Sequence, residues 1–336
     1  MLVDAHIHYG TLRDVPPLVQ AAERVGVDGV WFSETAHDPF LGAAIAAEHT
    51  RHITVGTSVA IAFTRSPTLL AYLAWDLAAL SGGRFTLGLG TQVKAHIVRR
   101  FGMPWEPPAP KLKETVQAIR TIWHTWRTDT PLNFRGRFYT LSLMTPFFTP
   151  PPMTASIPIV TAGVNPTLCR VAGEIADGFQ VHPFHTPAYL RNVIVPAIRR
   201  GQARGGREGA PFHIATSVFT VTGESDDEMA QARQDAKRSI AFYASTPSYR
   251  GVLAHHGWEA VGQRLSALAA RGAWTEMADQ ISDEMLKTIA VVARVDEIGT
   301  QIHQRYAGLV DRISLYEPFS PAAERRWRGL LQGCRA

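Results

Sequence analysis

Cysteine is scarce in this 336-residue chain: there are two, Cys169 and Cys334, far apart and without metal-ligand spacing. A disulfide scaffold is therefore not its organising principle, and a reducing, cytoplasmic compartment is expected. No run of ~18 apolar residues occurs, so no membrane span is expected. The start, Met1-Leu2-Val3-Asp4-Ala5-His6, has neither a basic segment nor a long apolar one, and no signal peptide is expected. Phosphate-loop signatures are also missing. Gly88-Leu89-Gly90 reaches Val93 where a dinucleotide fingerprint needs glycine, and neither a nucleophile elbow nor His-Glu-x-x-His is present. Charge of one sign is lacking as well. The net charge of +5 comes from 34 basic against 29 acidic residues. These are scattered apart from small clusters such as Arg99-Arg100, with no basic helix or aromatic-basic interleaving, so a nucleic-acid partner is not expected.

What is present is an alternation of short apolar runs with helical stretches. Strands are expected at Leu2–His6, Gly29–Phe32, Ile53–Val59, Phe85–Leu89, Ile157–Thr161, Gly178–Val181, His213–Val221 and Asp311–Leu315. Helices are expected between and after them, several starting at a proline: Pro39, Pro67, Pro166 and Pro187. Eight such repeats favour an α/β fold of one closed (β/α)8 TIM barrel spanning residues 1–336 over an open doubly wound sheet. Two segments interrupt the repeat. Thr130–Pro152 is rich in proline and aromatics, with a possible hairpin at Asn133–Tyr139. Ser245–Met285 precedes the last unit and is expected to form a mobile lid, with Trp258 and Trp274 as apolar contacts. Insertions after barrel strands sit at the catalytic face.

Site candidates follow from strand ends. Glu34 lies at the end of the second strand, and Asp38 beside Pro39 is the better helix cap, which leaves Glu34 for chemistry or ligand binding. Small-residue runs after the third, fourth and fifth strands, Gly56-Thr57-Ser58-Val59, Gly88-Leu89-Gly90-Thr91-Gln92 and Thr161-Ala162-Gly163-Val164-Asn165, let the backbone approach a flat ligand. The last of them leads into a helix N-terminus, a natural phosphate site. His6-x-His8 at the end of the first strand also admits a metal-dependent amidohydrolase, completed by His182, His213 and Asp311. That alternative is weakened because His213 and Asp311 fall at strand starts, and no metal is expected.

At these residues the chain resembles the luciferase-like superfamily, specifically its F420-dependent oxidoreductases. The carriers are Gly56-Thr57-Ser58-Val59 with Arg65-x-Pro67, then Ser81-Gly82-Gly83-Arg84-Phe85-x-Leu87-Gly88-Leu89-Gly90-Thr91, and Ala172-Gly173-Glu174-x-Ala176-Asp177-Gly178. A narrower actinobacterial group shares His37-Asp38-Pro39-Phe40 and Thr91-Gln92-Val93-Lys94-x-His96. The resemblance implies a deazaflavin ring over the barrel mouth and a non-prolyl cis peptide at Ser58-Val59 behind it. It places Glu34, Ser58, Val59, Thr91, Gln92, His96, Ala162, Gly163 and Val164 around the cofactor. It also implies a homodimer. Thr35 and Val93 fall where the sugar-phosphate dehydrogenase members carry a catalytic His and Glu, so their mechanism does not transfer. The expected chemistry is hydride transfer between coenzyme F420 and a small organic substrate, with His8, His37, His96 or His182 handling the proton. Glu34 beside His8 or His37 would raise the imidazole pKa. An FMN-dependent monooxygenase on the same fold is the first alternative.

Overall fold

The structure is a computed structural model that describes residues 1–335. Eight strands run parallel and pair in chain order: β1 (Leu2–His6), β2 (Gly29–Phe32), β3 (Thr54–Thr57), β4 (Phe85–Gly90), β5 (Ile159–Gly163), β6 (Gly178–Val181), β7 (His213–Val218) and β8 (Arg312–Leu315). β8 pairs with β1, as Val3 opposite Ile313, so the sheet closes. The fold is the expected (β/α)8 barrel.

Strand alternation explains the two faces. Val3 and Ala5 of the first strand and Ile7 just beyond it are buried, as are Val30 and Phe32 of the second and Leu87 and Leu89 of the fourth, and they belong to one apolar core. The residues between them, Asp4, His6 and His8 with Trp31 and Ser33, face the barrel interior and its mouth. That interior is unusually polar on the β7-β8-β1 side. Arg312 makes a two-pronged ion pair with Asp4 (2.6 and 2.7 Å), and Ser217 links His6 Nε2 (3.0 Å) to Ser314 (2.8 Å). Burial raises the Asp4 pKa against the opposing pull of Arg312.

Three helix starts share one local rule: a capping side chain, then proline in the first turn. Asp38 accepts from Phe40 N before α2 (Pro39–His49), Ser66 from Leu69 N before α3 (Pro67–Leu80), and Asn165 from Leu168 N before α5 (Pro166–Ile175). The other helices around the barrel are α1 (Val15–Val25), α4 (Pro108–Thr128), α6 (Val195–Arg204), α7 (Asp226–Ala244), a helix over Ile298–Tyr306 before β8, and one over Glu324–Arg335 after it.

Three expected boundaries move. The fifth strand begins two residues later than expected, at Ile159, because Pro158 has no amide to donate to the ladder, and so Ala162 and Gly163 belong to the strand rather than to a loop. The third strand stops at Thr57, where the Ser58–Val59 peptide bond is cis, as the resemblance implied. The seventh stops at Val218, and Thr220–Val221 pairs instead with Val291–Val292 outside the barrel.

Thr130–Pro152 contains the expected hairpin, Phe134–Arg135 against Thr140–Leu141. Glu114 of α4 holds its turn by accepting from the backbone amides of Arg137, Phe138 and Tyr139 (2.9, 2.7 and 2.7 Å). Ser245–Met285 is helical, with Arg250–His255 and Glu259–Ala270 the longer pieces, and it buries Val252, Leu253, Leu265 and Leu268. Trp258 stacks on His256 and Trp274 is exposed, while Ser248 and Tyr249 are the residues this segment puts on the cavity. No helix among the described residues is long and apolar enough to cross a membrane.

Candidate active site

The carboxyl ends of the strands surround a cavity of about 1120 Å³. That exceeds the roughly 300–1,000 Å³ usual for one small ligand, leaving room for a flat cofactor and a substrate together. His8, Glu34, Ser58, Val59, Thr91, Gln92, Ala162, Gly163, Val164 and His182 all line it. His37 and His96 do not. His37 is exposed and stacks on Tyr9 (4.7 Å between rings), and His96 is exposed at the start of a π-helical turn, His96–Arg100. Each lies in a loop beyond the strand end, where distance along the chain does not determine direction.

The back wall is tightly packed where the third and fourth strands meet. A Cβ on Gly90 would meet Val59 Cγ2 at 2.5 Å, and one on Gly88 would overlap the Thr57 carbonyl oxygen. Only glycine lets the fourth strand pass this close behind the Ser58–Val59 bulge. Ser33 Oγ donates to the Ser58 carbonyl (2.7 Å), fixing the bulge to the second strand. Gln92 next to it holds a left-handed backbone, φ 53°, which is uncommon outside glycine and recurs at ligand sites.

Glu34 is engaged by a cation. Its carboxylate accepts from Arg65 Nη1 (2.8 Å) and Nη2 (3.0 Å) and from the Ile61 amide (2.7 Å), and Arg65 also binds Asp38 (2.6 Å). Burial works against the Arg65 charge, but hydrogen bonds to Glu34 and Asp38 more than offset it, so its pKa is raised. The expected Glu34–imidazole pair is absent. The His8 pKa is lowered by burial, not raised by a carboxylate. Arg65 had a sequence signal, the Arg65-x-Pro67 pattern, though nothing in the sequence tied it to Glu34.

Aromatic groups close the opposite side. His182 Nδ1 accepts from the Phe184 amide (3.1 Å), and Nε2 lies 3.0 Å from Tyr249 Oη. Burial pushes the His182 pKa down to about 3 and that of Tyr249 up to about 12. Tyr243 Oη is 2.9 Å from Tyr316 Oη, and both line the cavity. Tyr243, Tyr249 and Tyr316 carried no motif that would have marked them. Among the described residues no cluster of three His, Cys, Asp or Glu could hold a metal, so the ligand set that an amidohydrolase requires is not assembled.

Fold and site together define a (β/α)8-barrel protein with one large ligand cavity at its carboxyl face. The chain belongs to the luciferase-like monooxygenase family, whose model matches residues 2–312. An uncharacterized protein of Mycobacterium tuberculosis is 45% identical over 294 residues, 87% of this chain and 86% of that one. A putative coenzyme F420-dependent oxidoreductase of the same species is 28% identical over 304 residues, 85% of each. Among solved structures, the coenzyme F420-dependent tetrahydromethanopterin reductase from Methanopyrus kandleri superposes with a TM-score of 0.79 at 20% identity, covering 99% of this chain and 98% of that one. The chain is accordingly an enzyme of this family.

Proposed function

We propose that the cavity binds coenzyme F420 and that the enzyme transfers a hydride between it and a small organic substrate. The observation that carries this is the tightly packed back wall, where Gly90 and the Ser58–Val59 bulge form a platform with space in front for two molecules. The F420-dependent relative supports the choice of cofactor. When bound, a deazaflavin supplies a carbon centre that gives or takes a hydride, while the protein supplies orientation, electrostatics and water exclusion. Val59 and Gly90 would back the ring. The start of α5, with Asn165 and Thr167 on the cavity, would meet a phosphate, and Lys94 at the rim would meet an anionic tail. Glu34 acts here as a positioning residue: through Arg65 and the Ile61 amide it ties the second strand to the loop that carries the bulge. His8 remains a candidate for contact with substrate because it faces the cavity. Small-molecule substrate apart, the expected partner is a second copy of the chain, which sedimentation of the purified protein would show as twice the monomer mass. The cofactor reading is tested by titrating the apoprotein with F420 and FMN side by side. Tight FMN binding with no F420 binding would favour a monooxygenase instead.

A further inference from the structure

We propose that Tyr249 is the hydrogen-bond and proton donor to the substrate oxygen, held in that state by His182, and that the substrate is therefore a carbonyl compound or the corresponding alcohol. This rests on the hydride-transfer reading above. The argument is one of hydrogen inventory. A backbone N–H can only donate, so the 3.1 Å contact from Phe184 N requires His182 Nδ1 to be an acceptor without a proton. A neutral imidazole then carries its proton on Nε2, and at 3.0 Å that proton goes to Tyr249 Oη. With its oxygen already accepting from His182, the Tyr249 hydroxyl has its own proton free to turn elsewhere. Tyr249 lines the cavity, as does His182. Burial holds the imidazole neutral and the phenol protonated, the states this inventory needs.

The surroundings point to an oxygen-bearing neutral group. Tyr243 packs on both members of the pair (4.7 and 5.6 Å between rings), and Phe219 and Tyr316 pack on Tyr243 in turn. The deeper cation, Arg312, is already paired with Asp4. In the reductive direction the reduced deazaflavin, when bound, would supply the hydride for the new C–H bond. The C=O π pair moves onto oxygen, which takes the Tyr249 proton. His182 Nε2–H then stabilises the phenolate until solvent reprotonates it. The oxidative direction is the reverse, with Tyr249 returning to its phenol form as the cycle closes. Tyr249 reaches this place only because the Ser245–Met285 insertion delivers it, so the insertion supplies a reacting group as well as cover.

The test uses Tyr249→Phe and His182→Gln in the full chain, with acetophenone as the carbonyl probe and F420 titrated separately. The expected result for Tyr249→Phe is F420 affinity within about twofold of wild type, a bound carbonyl stretch at higher frequency than in wild type, and reduction by reduced F420 slowed ~10²–10⁴-fold. Nitrogen-15 histidine spectra should show His182 as the Nε2–H form from pH 5 to 8, with that signal moved in Tyr249→Phe. In His182→Gln the Tyr249 phenol should titrate at higher pH than in wild type, a change that a purely structural histidine would not cause. An identical carbonyl stretch in wild type and Tyr249→Phe would overturn the proposal, as would an Nδ1–H His182 or failure of the probe to bind wild type. Loss of F420 binding by the wild type would instead overturn the cofactor reading, leaving the stretch to decide the role of Tyr249.

Discussion

Glu34 shows how a residue's position along a strand differs from its role. A carboxylate at a barrel strand end is placed for chemistry, yet both its oxygens are taken by Arg65 and the Ile61 amide, and its side chain is only 7% exposed. Removing one partner of a buried ion pair leaves the other charge uncompensated, at a cost of about 3 kcal/mol or more. Glu34→Gln should therefore lower the unfolding free energy read from urea melts, by less than that amount because Asp38 still pairs with Arg65, and weaken F420 binding with it, because the loop bearing Val59 loses its anchor. Unchanged stability with weakened binding would mean that Glu34 contacts the cofactor directly. The buried histidines act in a different way. Burial lowers the pKa values of His6, His182 and His185 to about 4, 3 and 4, from 6.5. As pH falls below 6.5 the unfolded chain takes up a proton at each while the folded chain does not. Stability is thus full above pH 6.5 and declines towards pH 4, by up to ~1.4 kcal/mol per pH unit for each histidine. Asp4, with its raised pKa, opposes this near the acid end. Urea midpoints between pH 7.5 and 4.5 should fall; a flat profile would show that the imidazoles are charged in the folded state.

Among the elements, the Ser245–Met285 insertion, rich in helix formers and expected as a mobile lid or flap, is helical, and Val252, Leu253, Leu265 and Leu268 turn inward. Closing motion is expected in the link through Ser248 and Tyr249, which carries the cavity residues. Amide exchange should be slow over 259–270 with or without ligand, and fast over 245–249 until F420 and substrate are bound. Uniformly fast exchange through both would restore the flap. The barrel strands, by contrast, were legible, because a parallel strand covered by helices is a short apolar run between turn signals. The first two matched residue for residue. The seventh did not, since the Thr220–Val221 pairing is made with residues some seventy positions away, Val291–Val292, a partner that no local pattern reveals. The same distinction governs the site. His8, Glu34 and the three small-residue runs were visible because strand ends converge by topology. Tyr249 was not, because an insertion brings it there. His37 and His96 are exposed and outside the cavity lining, in loops beyond the strand ends, where topology no longer fixes position.

For the whole molecule, closure of eight strands gathers residues from positions 4 to 318 around one cavity of about 1120 Å³. In its polar interior Asp4, Arg312, His6, Ser217 and Ser314 pair with one another, while Gln180 Oε1, also on the cavity, has no partner. The account as a whole turns on which flat cofactor that mouth accepts. Titrating the purified apoprotein with F420, and in parallel with FMN, tests this most directly. Saturable F420 binding that outcompetes FMN is the result expected; saturable FMN binding with no response to F420 would contradict it.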